Sequence, residues 1–336
     1  MHLFELTRAL IDIDSTTGRE QQVGDFLLVH LQDLAARTGG AVERIPVAED
    51  RFNVFATWGE PAVVLSTHMD TVPPFFSSSE DDDFIRGRGA CDTKGGIATM
   101  IQAVQELLAE GRRGFGLLLV VGEETDSAGA QVANRHPRGS RYLINGEPTE
   151  NRLALGSKGM LYMALEAAGK AAHSAYPELG DSAIDKLLDV LARLKTVPLP
   201  SDPILGETTL NVGTLSGGRA HNVVADQARA EVTLRTVGDT AELRRNLAAA
   251  VHAVPGARIA EIRETPAVHL GSLPGFETTI IKYTTDIPRL SAWGEPFLLG
   301  PGSIHVAHTP EERVAKHDLK AAVHLYKEMV RRLQDR

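Results

Sequence analysis

Cysteine is almost absent from this sequence: Cys91 is the single one among 336 residues. One cysteine excludes a disulfide framework within the chain. Basic residues are also in deficit, because 35 lysines and arginines stand against 44 aspartates and glutamates and the formal net charge is −9. Nucleic acids and anionic membranes attract basic surfaces, so we expect no nucleic-acid partner and no membrane partner.

Long apolar runs are missing as well. No basic start leads into an extended apolar stretch, so the sequence predicts neither a signal peptide nor a membrane-spanning helix, and we expect a cytoplasmic protein. With 43% hydrophobic and 24% charged residues, the composition is that of a globular protein. The length is sufficient for two domains and a sizeable core.

The stretch around residue 68 is the starting point for a functional interpretation. Residues 63–65 are Val-Val-Leu, which is typical of a buried strand, and His68 and Asp70 follow. Two residues apart in an extended backbone, these side chains point the same way, as a metal ligand and its orienting partner do. Taken alone, the pair is equally typical of a polar loop.

Acidic residues recur where later elements begin or end, and these are Asp92, Glu123, Glu124 and Glu147. Asp92 precedes an amphipathic helix, so helix capping is one interpretation and metal binding another. The glutamates follow apolar strands, where a solvated loop is the ordinary alternative. Strands that alternate with helices predict a mostly parallel α/β sheet, which forms its sites beyond the carboxyl ends of the strands.

A different pattern occupies the region from residue 158 to residue 268. It predicts elements in the order β-α-β-β-α-β, which is the split βαβ or ferredoxin-like arrangement. Afterwards the chain returns to a strand and a long final helix. We therefore predict a first domain of residues 1–157 plus 269–336, with an α+β domain of residues 158–268 inserted into it.

Five segments together resemble the M20 metallopeptidase family, the group of acetylornithine deacetylases, succinyl-diaminopimelate desuccinylases, aminoacylases and carboxypeptidases. They occur in the family's order and span most of the chain: THMDTVP at 67–73, GRGACDTKGG at 87–96, GEE at 122–124, GEPT at 146–149 and HTPEE at 308–312.

This resemblance implies a catalytic centre with two Zn²⁺ ions, for which Co²⁺ could substitute. Asp92 would bridge the ions, with His68 and Glu147 completing one site and Glu124 and His308 the other. Glu123 would be the general base, and Asp70 would orient His68. His305, three residues before His308, is the rival candidate ligand.

The resemblance also implies that the inserted domain is a lid and a potential homodimerisation module. His173, Asn222 and Arg235 in this domain, with Gly302 in the first, would contact the substrate. Simpler roles remain open: His173 could close a loop, and Arg235 could form a surface salt bridge. The sequence has Ala225 where many members have proline, which bears on loop stiffness.

The sequence therefore predicts metal-dependent hydrolysis of an amide bond in a small N-acyl amino acid, in the manner of acetylornithine deacetylase. A di- or tripeptidase, or a carboxypeptidase acting on short peptides, is the alternative. A non-catalytic metal-binding protein is a third hypothesis. It is disfavoured because the positions of the base and of every ligand are filled.

Overall fold

The computed structural model describes all residues from 1 to 336. The chain divides into two compact units. The first consists of residues 1–155, 270–279 and 285–336, and the second of residues 156–269 and 280–284. The predicted boundaries at residues 157 and 268 lie within two residues of these limits, and the short segment 280–284 was not predicted to join the second unit.

Helices and strands alternate along much of the chain. The helices are α1 Leu3–Ile11, α2 Gln21–Thr38, α3 Gly95–Ala109, α4 Ala128–Asn134, α5 Ala183–Leu194, α6 Ala241–His252 and α7 Lys316–Gln334. The strands are β1 Ala41–Ala48, β2 Arg51–Trp58, β3 Val63–His68, β4 Ser79–Glu80, β5 Phe84–Arg86, β6 Phe115–Val120, β7 Tyr142–Asn145, β8 Leu153–Ser157, β9 Gly159–Ala168, β10 Ser201–Asp202, β11 Gly206–Glu207, β12 Thr209–Gly217, β13 Gln227–Thr236, β14 Ala257–Thr265, β15 Val268–His269, β16 Thr278–Ile281, β17 Glu295–Leu298 and β18 Arg313–Ala315.

A six-stranded sheet with the order β1-β2-β6-β3-β7-β17 forms the centre of the first unit. Strands β6, β3, β7 and β17 are parallel, whereas β1 and β2 form an antiparallel hairpin at one edge. The prediction of a mostly parallel α/β sheet is thereby confirmed. Because β6, β3 and β7 are neighbours, their carboxyl ends lie side by side, and these ends lead into Glu123 and Glu124, His68, and Glu147.

Alternation along the central strands explains why both faces of this sheet are covered. Val63 and Leu65 of β3 belong to a core shared with α1, α2, α3 and α7, while Val64 packs with Trp293 in a smaller core on the opposite face. Adjacent residues of a strand point to opposite faces, so a continuous apolar run is needed to fill both cores. This is why residues 63–65 of β3 and most of β6 are uninterrupted apolar runs.

The second unit contains a four-stranded antiparallel sheet with the order β12-β13-β9-β14. Helices α5 and α6 pack on one face of it, against alternate residues such as Leu161 of β9 and Val232 of β13. The chain order β9-α5-β12-β13-α6-β14 is the predicted ferredoxin-like arrangement. Strand β12 is an edge strand and is mostly exposed.

Two local features differ from the prediction. The segment before α3 is a π-helical turn, Ala90–Lys94, in which Asp92 has non-helical backbone angles, so Asp92 does not cap the helix. Helix α4 was not predicted, because its seven residues are too few to show a clear apolar periodicity. None of the seven helices combines the length and the apolar character that crossing a bilayer would require.

Candidate metal centre

Asp92 lies between two histidines, and each of its carboxylate oxygens faces a different one. Oδ1 is 3.1 Å from Nε2 of His68, and Oδ2 is 3.2 Å from Nε2 of His308. The turn that carries Asp92 is buried, and its peptide bond to Thr93 is cis. A carboxylate that presents its two oxygens to separate imidazoles has the geometry of a bridging ligand.

Each histidine also approaches a second carboxylate. Nε2 of His68 is 3.9 Å from Oε1 of Glu147, and Nε2 of His308 is 3.1 Å from Oε1 of Glu124. Ligand atoms of His68, Asp92 and Glu124 lie within 4.8 Å of one another. The structure therefore brings together all five predicted ligands in two sets that share Asp92. The ring of His308, rather than that of His305, makes these contacts.

Two threonine hydroxyls connect the segments that carry His68, Asp92 and Glu147. Oγ1 of Thr67 is 2.6 Å from Oγ1 of Thr93 and donates a hydrogen bond to the carbonyl of Gly146 at 2.8 Å. Oγ1 of Thr93 lies 3.0 Å from the carbonyl oxygen of His68. Both threonines belong to the recognised motifs, but no positioning role was predicted for them.

Asp70 has a different principal contact from the predicted one. Nδ1 of His68 is 2.9 Å from the backbone carbonyl of Asp70 and 3.5 Å from its carboxylate. The carboxylate instead accepts hydrogen bonds from the backbone N–H groups of Gly122, Glu123 and Glu124, at 2.9, 3.1 and 3.2 Å. Asp70 thus orients the imidazole mainly through its backbone, and its side chain holds the turn that carries both glutamates.

The loop that carries His308 has an unusual backbone. His308 itself adopts a left-handed conformation with φ of 63°, and Gly302 has φ of 83°. A side chain at Gly302 would place its Cβ 2.5 Å from Cβ of Cys91. The close packing against Cys91 therefore explains why glycine is required at position 302. A contact of Gly302 with substrate remains a prediction.

The electrostatics of the cluster are dominated by buried acids. Burial raises the pKa of Glu147 well above its usual range, although His68 opposes the effect. Desolvation likewise raises the pKa of Glu123, with further contributions from the carboxylates of Glu147 and Asp286. Burial also opposes ionisation of Asp92, but hydrogen bonds to His308 and His68 outweigh it and lower the pKa of Asp92.

The histidines respond in the opposite sense. Contacts with Asp92 and then Glu124 raise the pKa of His308 to about 10, and the carboxylates of Asp70 and Asp92 raise the pKa of His68 against the effect of its burial. The cluster thus attracts positive charge. Buried Oε1 of Glu147 also has no hydrogen-bond partner. Imidazole nitrogens and carboxylate oxygens are zinc ligands, so these residues fit two divalent cations.

Asp286 is an acidic residue to which the sequence motifs assigned no role. It is 1% exposed, and an interaction with the side chain of Ser127 only partly offsets the effect of this burial on its pKa. Burial raises its pKa to about 6, and its charge interacts with His68 and Asp70. No apolar strand directly precedes it and no recognised motif contains it, so the sequence offered no signal for a role beside the metal centre.

Two of the predicted substrate contacts lie on paired loops in the second unit. His173 forms an isolated β-bridge with Val223, and the carbonyl of Asn222 accepts a hydrogen bond from the N–H of Ser174 at 3.0 Å. The N–H of Val224 bonds to the carbonyl of Ala172 at 2.9 Å. These two hydrogen bonds form the bridge and hold the segment 172–174 against the segment 222–224.

Arg235, the third predicted contact, lies on β13 on the face away from α5 and α6. Burial lowers its pKa, and no carboxylate lies within ion-pairing distance of it. By contrast, Arg229 on the same face pairs with Glu166 at 2.9 Å. The predicted alternative of a surface salt bridge is therefore wrong for Arg235.

The chain is similar to known proteins of one family. The model of the Peptidase family M20/M25/M40 matches residues 64–332. The Peptidase M20 domain-containing protein C757.05c of Schizosaccharomyces pombe is 40% identical over 98% of this chain and 84% of its own length. A probable carboxypeptidase of Aspergillus terreus is 38% identical over 96% and 84%. The structure of a tripeptidase from Staphylococcus aureus shares the fold, with a TM-score of 0.83, 21% identity and coverage of 99% and 98%.

Proposed function

The chain belongs to the Peptidase family M20/M25/M40 and is therefore a metal-dependent hydrolase of the peptidase and amidohydrolase class, and we propose that it cleaves an amide bond next to a free carboxylate. Short peptides and N-acyl amino acids both contain such a bond. The observation that carries the proposal is the position of Asp92, whose two oxygens face separate sets of ligands.

The proposed cofactor is a pair of Zn²⁺ ions, for which Co²⁺ could substitute. His68, Glu147 and one oxygen of Asp92 would hold one ion, and His308, Glu124 and the other oxygen of Asp92 would hold the second. Ions at these positions would supply Lewis-acid polarisation of the scissile carbonyl and would lower the pKa of the attacking water.

Glu123 is the proposed general base. Its backbone N–H is fixed by Asp70, and its side chain is not one of the five ligand groups. In this role its carboxylate takes a proton from the attacking water and then gives it to the leaving amine. The net reaction consumes one water and releases a carboxylic acid and an amine.

The environment of Arg235 favours a substrate that carries a carboxylate. A half-buried guanidinium without an acidic partner is costly unless an anion pairs with it, and a carboxylate can form a bidentate hydrogen-bonded pair with arginine. The related probable carboxypeptidases favour the peptide alternative over our first expectation of an acetylornithine-type deacylase. We therefore propose short peptides as the substrates, cleaved at the bond before the C-terminal residue.

The second unit is the proposed lid. In this proposal His173 and Asn222 contact the carbonyl or carboxylate of the substrate, and Gly302 borders the same site. The exposed edge strand β12 is the proposed surface for a homodimer.

A substrate panel tests this function. Purified protein loaded with Zn²⁺ would be assayed with dipeptides and tripeptides, with N-acetyl and N-succinyl amino acids, and with the C-terminal amides of the same compounds. We expect turnover of free-carboxylate peptides and at least tenfold less turnover of their amides. Faster turnover of N-acyl amino acids than of peptides would instead identify a deacylase. Equal turnover of acids and amides would contradict carboxylate recognition.

A further inference from the structure

Arg88 and Glu312 form an ion pair in the interior of the first unit. Nη1 of Arg88 is 2.5 Å from Oε2 of Glu312, and each side chain is 1% exposed. Nε of Arg88 also donates to the carbonyl of Pro74 at 3.2 Å. Removing two charges from water is expensive, and a buried ion pair is often no more stable than an apolar pair of the same size. Stability alone therefore does not explain this pair.

The second oxygen of Glu312 faces the turn that carries Asp92. Oε1 accepts a hydrogen bond from the N–H of Asp92 at 3.4 Å and lies 3.8 Å from Sγ of Cys91. The backbone carbonyl of Glu312 accepts from the N–H of Gly87 at 3.2 Å. Glu312 thus contacts the segment on both sides of Arg88 through its side chain and its backbone.

Glu312 also belongs to the loop that carries His308. It lies four residues after His308, and its N–H bonds to the carbonyl of Thr309 at 3.4 Å, which closes a turn. The two loops that it connects are those whose ligand atoms, Oδ2 of Asp92 and Nε2 of His308, are 3.2 Å apart. His68 and Glu147 are held differently, through Thr67, Thr93 and Gly146.

We propose that the Arg88–Glu312 pair is a positioning device that sets the distance between Asp92 and His308, and so controls the affinity of one ion of the two. The inference rests on the proposed two-ion site. Loss of the pair should lower the affinity for the ion held by His308 and Glu124 more than the affinity for the ion held by His68 and Glu147. Groups that orient metal ligands typically change metal affinity by 10- to 100-fold when they are removed.

Two variants remove the pair in different ways. Glu312→Gln keeps the shape of the side chain but leaves Arg88 without its counter-ion, which could unfold the protein. The double variant Arg88→Met with Glu312→Leu replaces the pair by apolar groups of similar size and leaves no buried charge unpaired. Lys327→Met is the matched control, because it breaks the ion pairs that Lys327 forms with Glu106 and Glu110 without touching a ligand loop.

Zinc content after equilibrium dialysis against increasing chelator provides the readout, and thermal unfolding is followed in parallel. We expect two ions in the wild-type chain and in Lys327→Met. In the double variant, one ion should leave at a free zinc concentration at least tenfold higher than in the wild type. Adding Glu124→Gln to the double variant should remove no further ion, whereas adding Glu147→Gln should remove the remaining one.

The outcomes separate this inference from the proposed function. A wild-type chain with two ions, together with a double variant that holds both as tightly, would overturn the positioning role alone. First loss of the ion held by His68 and Glu147 would overturn it too. A wild-type chain that binds fewer than two ions would overturn the proposed two-ion site and this inference with it.

Discussion

The carboxylate of Asp70 accepts a hydrogen bond from the backbone N–H of Glu123 at 3.1 Å, so one acidic residue fixes the backbone of the proposed base. The same carboxylate receives the N–H groups of Gly122 and Glu124 and the hydroxyl of Thr17. Burial raises the pKa of Asp70, but His68, the hydroxyl of Thr17 and the N–H of Glu124 outweigh it and lower the pKa. A charged acceptor at this position is therefore part of how the turn folds.

Asp70→Asn should destabilise the metal-free protein by about 2–3 kcal/mol, because an amide offers one acceptor oxygen where the turn requires two. Urea unfolding measures the change. Thr17→Val is the control, since it removes one of the four bonds, and it should cost about 1 kcal/mol. Equal stability of Asp70→Asn and the wild type would contradict a structural role for this carboxylate.

Glu123→Gln should lower kcat by at least about a hundredfold and leave the metal content near normal, because it removes the proton acceptor and no ligand. Glu124→Gln, its neighbour on the same turn, should lose metal. Parallel elemental analysis and steady-state kinetics test both. If the two variants retain equal amounts of metal, the roles assigned to the pair are wrong.

Asp286 should make the stability of the metal-free protein depend on pH. Its pKa is about 6 in the folded protein and 3.8 without the fold, so folding favours the protonated acid and stability is lost as the pH rises from about 4 through 6. At 1.36 kcal/mol per pKa unit the full loss is about 3 kcal/mol. The Asp286→Asn variant should be more stable than the wild type by most of this loss at pH 8 and by about half of it at pH 5.

Urea unfolding of the metal-free protein at both pH values tests this expectation. Asp335→Asn, which removes an exposed carboxylate, is the control. A gain for Asp286→Asn that is the same at pH 5 and pH 8 would show that the ionisation of Asp286 is not the cause.

Arg235→Met should raise KM for substrates with a free carboxylate by about 10- to 100-fold, which corresponds to the 1.5–3 kcal/mol of a charge-assisted hydrogen bond. The KM of the corresponding amides should change little. Arg229→Met removes an arginine from the same face of β13, but one that is already paired with Glu166, so its KM values should stay near the wild type. Similar losses for acids and amides would contradict the assignment.

If the proposed homodimer forms, a mixed dimer of Glu123→Ala and His173→Ala subunits should reveal which subunit His173 serves. If His173 acts in the partner's site, one of the two sites is intact and mixing restores activity. If it acts in its own subunit, each site lacks one group and mixing restores none. We expect restoration, provided that tagged subunits are first shown to exchange. Inactive exchanged dimers, or a monomer in which His173 is essential, would contradict action across subunits.

The sequence predicted the parts of this structure that repeat a local pattern. The apolar runs of β3 and β6 led to a parallel sheet, and the polar residues after them led to a site at its carboxyl edge. The assignment of Asp92 and His308 to that site came from the resemblance to the M20 family. The alternating strands of the second unit led to the ferredoxin-like order. Each strand and helix is determined by residues that are close together in the chain, so its periodicity contains the information.

Contacts between distant segments could not be predicted in this way. Asp286 has no motif, and only the folded chain reveals that it is buried beside the metal centre. Glu312 bonds to Arg88 across 224 positions. The side chain of Asp70 was expected to face His68, yet three N–H groups of a turn 52 to 54 residues later are its closer partners. Tertiary packing decides such choices.

The backbone contacts between segments 172–174 and 222–224 bear on how specificity could change over evolutionary time. A deletion or a proline in either segment would disturb the other, because the hydrogen bonds run between main chains and do not depend on side-chain identity. Side-chain replacements, in contrast, leave the pairing intact. If His173 and Asn222 make the proposed substrate contacts, new substrate preferences should therefore arise by exchanging side chains on a loop pair of constant length.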